Sequence, residues 1–165
     1  MTSRAHAFFA LSLLASLLVA APAAAQTATD EKELTKSVIT TERQAIIAAN
    51  LDLTEEQAKV FWPLFREYGA EMDAITDRKI HLIEDYARKY VGLTDEEASQ
   101  LMSDYFVVQK DELKTKQKWF GKMKKELPIK TVTRFFQIEY KLDAIVRAET
   151  TRVLPLVQVQ PAANR

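Results

Sequence analysis

Two helix-start signals of the same form lie forty residues apart, and they limit what this chain can fold into. In "LTEEQ" the Thr54 hydroxyl can accept a hydrogen bond from the backbone amide of Gln57, and the Gln57 side chain can reach back to the amide of Thr54. In "LTDEE" Thr94 and Glu97 repeat this capping arrangement. Each signal predicts a helix that begins directly after its threonine. With the leucine before each threonine, the two capping motifs comprise Leu53, Thr54, Gln57, Leu93, Thr94 and Glu97.

Apolar residues recur along the chain every three or four positions, which is typical of amphipathic helices. Glycine and proline are too scarce, at 3 and 5 of 165 residues, for the many turns of an all-β protein. Lys79 and Lys116 interrupt two of the apolar stripes, and Met102 and Met123 on the stripes are predicted core residues. The pattern predicts an all-α fold of four helices, two of them about 30 residues or longer. The stripes lie at 34–48, 58–86, 102–127 and 132–146.

Three breaks separate the predicted helices. Gly92 is placed to end one helix in the left-handed conformation, and Asn50 is expected to do the same before the first capping motif. At "ELPIKT" a helix is expected to end before Pro128 and another to start near Ile129, because a residue before proline avoids the helical region.

Pro63 lies well inside the second predicted helix, with Phe61, Trp62 and Phe65 around it. Proline lacks the amide hydrogen and crowds the preceding turn, so a kink or a short interruption is expected there. The aromatic side chains either fill the core on the inside of the bend, which we favour, or form a patch that is presented to a partner.

The first 25 residues form a separate segment. Arg4 supplies a basic start, an apolar run follows at 7–20, and alanines precede a cleavage point at Gln26, which is the pattern of a cleaved secretory signal. The run is short for a membrane span, so an uncleaved anchor is the weaker alternative and no membrane insertion is expected after cleavage. The predicted organisation is a signal peptide at 1–25, a single all-helical domain at 26–157 and a frayed tail at 158–165.

Composition argues against several classes of function. Lys+Arg and Asp+Glu balance at 23 each, which together with export argues against nucleic-acid binding. The chain has no cysteine, no glycine-rich phosphate loop and one histidine after the signal, so we expect neither an enzyme nor a cofactor. Asp77, His81, Glu84 and Asp85 share one helix face and are weak metal-ligand candidates. An ordinary surface histidine is the favoured interpretation.

Four lysines step by four residues from Lys110 to Lys122 along the third predicted helix. They either pair with acidic residues around Glu67 and Glu71, which is slightly favoured, or form a basic, partly apolar surface that binds unfolded polypeptides. For the second interpretation the candidate contact residues are Trp62, Phe65, Lys114, Lys118, Trp119, Phe120, Lys122 and Lys125.

The segment 53–57 matches the motif LTxxQ in full, and 93–97 matches it with glutamate in place of the final glutamine. With "FWPLFREY" at 61–68 and "LPIKTVTRFFQIEYKLD" at 127–143, the chain resembles the Spy/CpxP-like LTxxQ-motif proteins of the periplasm, and within them an exported subgroup that carries FWPxxxxY. The resemblance covers most of 51–157. It implies a long antiparallel helical hairpin that pairs into a thin, cradle-shaped homodimer.

The better-known members of this family act as ATP-independent chaperones or as modulators of stress sensors, and some relatives sense or store metal. The resemblance therefore implies a periplasmic chaperone-like or envelope-stress accessory protein that binds unfolded or partner polypeptides. Two alternatives stay open: a metal-responsive sensor that uses His81 and nearby carboxylates, and a purely structural envelope component.

Overall fold

Four α-helices and no strand make up residues 41–159, the part of the chain that the computed structural model describes. The described part of helix α1 covers residues 41–51, and the other helices are α2 (Glu55–Lys89), α3 (Asp95–Glu126) and α4 (Ile129–Val153). The predicted all-α fold is confirmed, and so are its two long helices, since α2 has 35 residues and α3 has 32. Among the described helices, none is both long and apolar enough to cross a membrane.

The predicted signal peptide at 1–25 lies outside the described residues, as do 26–40 and the end of the predicted tail at 160–165. From Pro155 to the last described residue the chain is exposed and has no regular structure. The Tyr86 hydroxyl donates a hydrogen bond to the Pro155 carbonyl at 2.7 Å. This bond anchors the start of the C-terminal segment to α2.

Helices α2 and α3 begin where their capping motifs predict. The Thr54 hydroxyl accepts from the Gln57 amide at 3.2 Å, and the Gln57 side-chain oxygen accepts from the Thr54 amide at 3.3 Å. Thr94 and Glu97 form the same pair of hydrogen bonds, both at 3.2 Å. Gly92 has a φ of +101° in the turn before α3, as predicted.

The end of α1 differs from the prediction. Asn50 is helical, and its side-chain amide donates to the Ile46 carbonyl at 2.8 Å. The left-handed conformation falls instead on Asp52, with a φ of +47°. Aspartate tolerates this region better than most residues because its short polar side chain can bond locally. The helix therefore runs to residue 51, further than the sequence predicted.

Helix α2 passes through Pro63 as one continuous helix, so of the two expected effects of this proline, a kink or a short interruption, the interruption is wrong. Pro63 itself is exposed, while Phe61 and Phe65 on either side of it are buried. The favoured interpretation of the aromatic residues as core is thus confirmed for these two rings. At the other predicted proline break, α4 begins at Ile129, as expected.

The core of the described region centres on a cluster of rings from α2, α3 and α4, which we call the aromatic cluster. Its rings meet mostly edge to face, the arrangement that aromatic quadrupoles favour. Ile47 and Leu51 of α1 are buried in the same core, at 0% and 3% exposed. The aromatic cluster consists of Phe61, Phe65, Tyr68, Trp119 and Phe135.

Ion pairs tie α2 to α3 along their length. Their order along one helix is the reverse of the order along the other, so the two helices lie antiparallel. The pairs are Glu67–Lys122 and Glu71–Lys118 at 2.6 Å, Arg78–Asp111 at 2.7 Å and Lys89–Glu97 at 3.2 Å.

The predicted core stripe of α3 is wrong over its first half. Met102, Phe106 and Leu113 are 47%, 60% and 58% exposed. The buried face of α3 instead carries Val108, Glu112, Trp119 and Met123. At this point of the helix the charged residue Glu112 is buried, whereas the apolar residue next to it, Leu113, is exposed. The apolar stripe therefore faces outward along much of this helix.

Candidate functional site

Two aromatic residues of the predicted contact surface belong to the core. Phe65 is 6% exposed and Trp119 is 1% exposed, so the prediction that they contact a partner is wrong for both. They are buried because the rings of Tyr68 and Phe135 pack against them. Trp62 and Phe120, two other predicted contact residues, are partly exposed at the edge of the core, so a partner could reach them.

The lysine band divides into two parts. Lys118 and Lys122 bind Glu71 and Glu67 on α2, which confirms the favoured pairing interpretation for these two lysines. Lys118 also lowers the pKa of Glu71 by its hydrogen bond. The ammonium group of Lys122 lies 4.2 Å from the centre of the Trp119 ring. These two lysines therefore hold α2 and α3 together. Lys114 and Lys125, the other two candidates, are exposed.

An apolar surface on α3 takes the place of the predicted one. Met102, Phe106, Leu113 and Phe120 follow one another at spacings of four and seven residues, so they line one face of the helix. We call this row of four side chains the apolar track. The first three members are about half exposed or more, and Phe120 is partly buried. The sequence carried this signal as a stripe, and only its direction was misread.

The apolar track ends in an open groove between α3 and α4. The groove has a volume of about 480 Å³ and a mainly apolar lining. The rings of Phe120 and Phe136, which both line it, lie 5.8 Å apart, and Tyr140 in the lining is 75% exposed. The groove is lined by Phe120, Thr133, Phe136, Gln137, Tyr140 and Lys141. Sequence reasoning missed the α4 side of this groove.

Basic side chains border the apolar track and the groove. Lys110 and Lys114 are exposed beside Phe106 and Leu113 on the same helix. The Lys124 ammonium lies 5.7 Å from the centre of the Phe120 ring. The neighbouring carboxylate of Asp111 binds Arg78 on α2, and Arg78 first and then Lys114 lower its pKa. The surface is therefore apolar along its centre and basic along its margin.

A second arrangement, which we call the ionic network, links all four helices. It alternates bases and acids along a chain of contacts. Arg43 donates to Glu139 at 2.8 and 2.6 Å and to Asp143 at 2.9 Å, and Tyr68 donates to Glu139 at 2.9 Å. Lys116 donates to Asp143 at 2.5 Å. Glu139 is 1% exposed, so its charge depends on these partners.

The part of the ionic network around Glu112 explains why Lys79 and Lys116 interrupt the apolar stripes. Lys79 and Lys116 both bind the buried carboxylate of Glu112, at 2.7 and 2.6 Å. Burial would raise the pKa of Glu112, but the two lysines outweigh burial and lower it. Burial raises the pKa of Tyr68, and the charge of Glu139 raises it further. Each member is paired, so the network is suited to holding the helices in register.

The four weak metal-ligand candidates do not form a site. His81 is 69% exposed and has Glu84 at 3.5 Å, while Asp85 binds Arg88. Within residues 41–159, no group of three or more potential ligands lies close enough together to hold a metal ion. The metal-sensor alternative therefore has no support from the described geometry.

Comparison with protein-family models, curated proteins and solved structures finds no match for this chain. The resemblance to the LTxxQ-motif family rests on the motifs and their spacing alone.

Proposed function

We propose that this protein binds segments of other polypeptides reversibly and without nucleotide, as an exported chaperone-like or envelope-stress accessory protein. The observation that carries the proposal is the exposed apolar track on α3. Extended apolar surfaces on soluble proteins mark sites of interaction more often than chance. The proposal keeps the predicted class of function and moves its surface from the aromatic cluster to the apolar track and the groove.

The chemistry of this surface suits weak and unselective binding. Met102, Phe106 and Leu113 offer adaptable apolar contacts, and methionine is common on promiscuous surfaces. The stems of Lys110 and Lys114 can cover apolar segments while their charges stay in water. Such shallow contacts give modest affinity because much of the gain is offset by lost motion on association. A bound segment would therefore be released quickly.

The predicted secretory signal and the resemblance to LTxxQ-motif proteins support a periplasmic location. A periplasmic protein of this kind would work without ATP. A preformed binding surface meets that condition, because it needs no conformational cycle driven by ATP hydrolysis. The predicted homodimer belongs to the same proposal, since pairing would place two apolar tracks in one particle.

The test is suppression of aggregation, with the chain from Gln26 onwards as the predicted mature protein. An unfolded model protein is diluted into buffer with increasing amounts of this chain and no nucleotide, and light scattering is recorded. We expect suppression at near-stoichiometric ratios. A double variant, Phe106→Ser with Leu113→Ser, should need several-fold more protein for the same effect, while its helicity is unchanged because both side chains are exposed.

A matched control replaces two residues of similar exposure outside the apolar track. Ile129 and Ile145 are 53% and 62% exposed, so Ile129→Ser with Ile145→Ser removes comparable apolar area. This control should suppress aggregation as well as the unchanged chain does. Absence of suppression in both low and physiological salt would refute the proposed function. Equal loss in both double variants would refute the assignment to the apolar track.

A further inference from the structure

The described part of helix α1 is held against α4 by polar contacts near residue 43 and near residue 50. At the first position Arg43 reaches the carboxylates of Glu139 and Asp143. At the second the Arg134 guanidinium donates to the Asn50 carbonyl at 2.5 Å. The order of these contacts shows that α1 runs antiparallel to α4. Between them the two buried side chains in the described part of α1, Ile47 and Leu51, enter the core, so this part of the helix carries both polar and apolar docking contacts.

The connection from α1 to α2 is short and strained. Only residues 52–54 lie between the helices, and Asp52 has a φ of +47°. Among residues 41–159, it is the only residue other than glycine with a positive φ. Aspartate tolerates this conformation better than most residues, but it still costs free energy relative to the extended one, and the cost is stored while α1 folds back on its own chain. A form in which residue 52 is extended would release it.

The buried carboxylate of Glu139 decides how α1 can leave. Without Arg43 this charge would stay in the core with only the Tyr68 hydroxyl as a partner, which is strongly unfavourable. Simple opening of α1 is therefore costly, whereas exchange for another segment with a cation at the same place is not. The segment that meets this requirement is α1 of a second copy.

We propose that α1 is exchanged between two copies of this chain, so that α1 of each copy docks on α4 of the other. The exchange keeps the contacts described for residues 43–51 and allows Asp52 to leave the left-handed conformation. A short, strained hinge beside a self-contained helix is the arrangement that favours such swapping. The inference goes beyond the proposed function, because it uses different residues from the apolar track.

The seam between α1 and α4 also leaves room for exchange. A cavity of about 280 Å³ lies beside Asn50 and Arg134, at the end of α1 next to the hinge. It continues along α4 past Gln137 and Ile138 to Lys141.

The first experiment changes the hinge and measures the dissociation constant of the dimer by analytical ultracentrifugation. Asp52→Gly and Asp52→Val both remove the carboxylate that lies 3.3 Å from Arg134. They differ in how well they accept a positive φ, since glycine adopts it freely and valine does not. The dissociation constant of Asp52→Gly should exceed that of Asp52→Val by about tenfold or more.

The second experiment mixes two variants, Arg43→Met and Glu139→Gln, and measures heterodimers by native mass spectrometry. In a swapped heterodimer the intact Arg43 of one chain meets the intact Glu139 of the other, and the second site has neither charge. In every unswapped form and in both homodimers a site has either Glu139 without Arg43 or Arg43 with Asp143 as its only remaining carboxylate. We therefore expect heterodimers well above the statistical share of one half.

Heterodimers at the statistical share, or equal dissociation constants for the two hinge variants, would refute the exchange and assign any dimer to another surface. A monomer at all concentrations, with Asp52→Val included, would refute it as well. The Asp52 pair keeps the test decisive if either charge variant fails to fold. A monomer would remove the homodimer from the proposed function, but neither experiment measures the suppression of aggregation, so the exchange and the binding of polypeptides fail separately.

Discussion

Asp143 shows how a single side chain in the ionic network depends on its neighbours. It lies on α4 between Lys116 of α3 and Arg43 of α1, and both bases bind it. Burial would raise its pKa, but Lys116 and then Arg43 outweigh burial and lower it. The pKa of Glu112 is lowered in the same way, by Lys116 and Lys79. Both carboxylates therefore prefer the charged form more strongly in the folded chain than in the unfolded one.

This preference predicts a loss of stability in acid. A carboxylate whose pKa is lowered on folding stabilises the fold at pH values above its ordinary pKa, which is 4.5 for Glu112 and 3.8 for Asp143. The contribution disappears as the pH falls through the lower, folded-state values. The free energy of unfolding, measured by urea titration with circular dichroism, should hold from neutral pH to about pH 5 and decline below it.

Two variants separate this effect from general acid unfolding. Asp143→Asn should cost about 1–3 kcal/mol at neutral pH and should show a shallower decline in acid, because one of the titrating groups is gone. Asp104→Asn changes an exposed aspartate on α3 and should leave both quantities nearly unchanged. An acid decline of equal steepness in all three chains would contradict the assignment to the ionic network.

At the residue scale the sequence revealed only half of this network. Lys79 and Lys116 stand out as polar interruptions of apolar stripes, which is a usable signal of a partly buried cation. Glu112 and Glu139 give no such signal, because glutamate is common on the exposed faces of helices. Which acid meets which base is decided by how the helices pack, and helical periodicity does not contain that information.

At the scale of single helices, local chemistry decides where each one begins. Both capping motifs and Gly92 act within a few residues, so their roles were predicted correctly from the sequence. Asn50 and Asp52 show the limit of this reasoning. Both residue types accept the left-handed conformation, and the choice between them follows from where Leu51 must lie to be buried at 3% exposed.

Pro63 gives a prediction about α2. The helix continues through this proline, which has no amide hydrogen to donate to the Lys59 carbonyl. Because Pro63 is exposed, Pro63→Ala restores the missing bond without disturbing the core and should raise the free energy of unfolding by about 1–3 kcal/mol. Thermal and urea unfolding measure the change.

The neighbouring exposed residue supplies the control for Pro63. Arg66→Ala also places alanine on the outer face of α2, and it should change the free energy of unfolding by no more than about 0.5 kcal/mol. A loss of stability in Pro63→Ala would mean that the proline sets a helix shape on which the packing of Phe61 and Phe65 depends.

Over the whole described region, buried side chains concentrate towards one end. The aromatic cluster and the buried residues of α1 and α4 lie at the end where α2 begins and α3 finishes. Towards the opposite end, at the turn with Gly92, α2 buries only Tyr86 after Ile75, and α3 buries nothing before Val108. Local stability follows buried contacts, so the two ends differ in how easily they open.

Hydrogen exchange should reveal this gradient. Backbone amides at 61–68 and 119–123 are expected to exchange at least about tenfold more slowly, after correction for intrinsic rates, than amides at 80–89 and 98–106. All four segments are helical, so the difference reports packing and not hydrogen bonding. Uniform protection across the four segments would contradict the gradient and indicate one cooperative unit.

The same asymmetry shows why the surface was harder to predict than the fold. Periodicity predicted the helices and their approximate ends, because an apolar stripe at helical spacing is enough to identify an amphipathic helix. It did not show that the stripe through Phe106 and Leu113 lacks a partner in the described region. A core stripe and a binding stripe have the same spacing, and only the positions of the other helices distinguish them.

The turn at Gly92 has a practical consequence. Val91 and Gly92 are exposed, and the helices on both sides are ended and started by their own local hydrogen bonds. Within the described region, the only ion pair across this turn joins the exposed side chains of Lys89 and Glu97, and no residue of the turn is buried. A peptide tag inserted there would be displayed far from the aromatic cluster, and an unchanged melting temperature would verify that it is tolerated. The free end of the α2–α3 pair is thus a natural place for an epitope, a fluorophore or an evolutionary insertion.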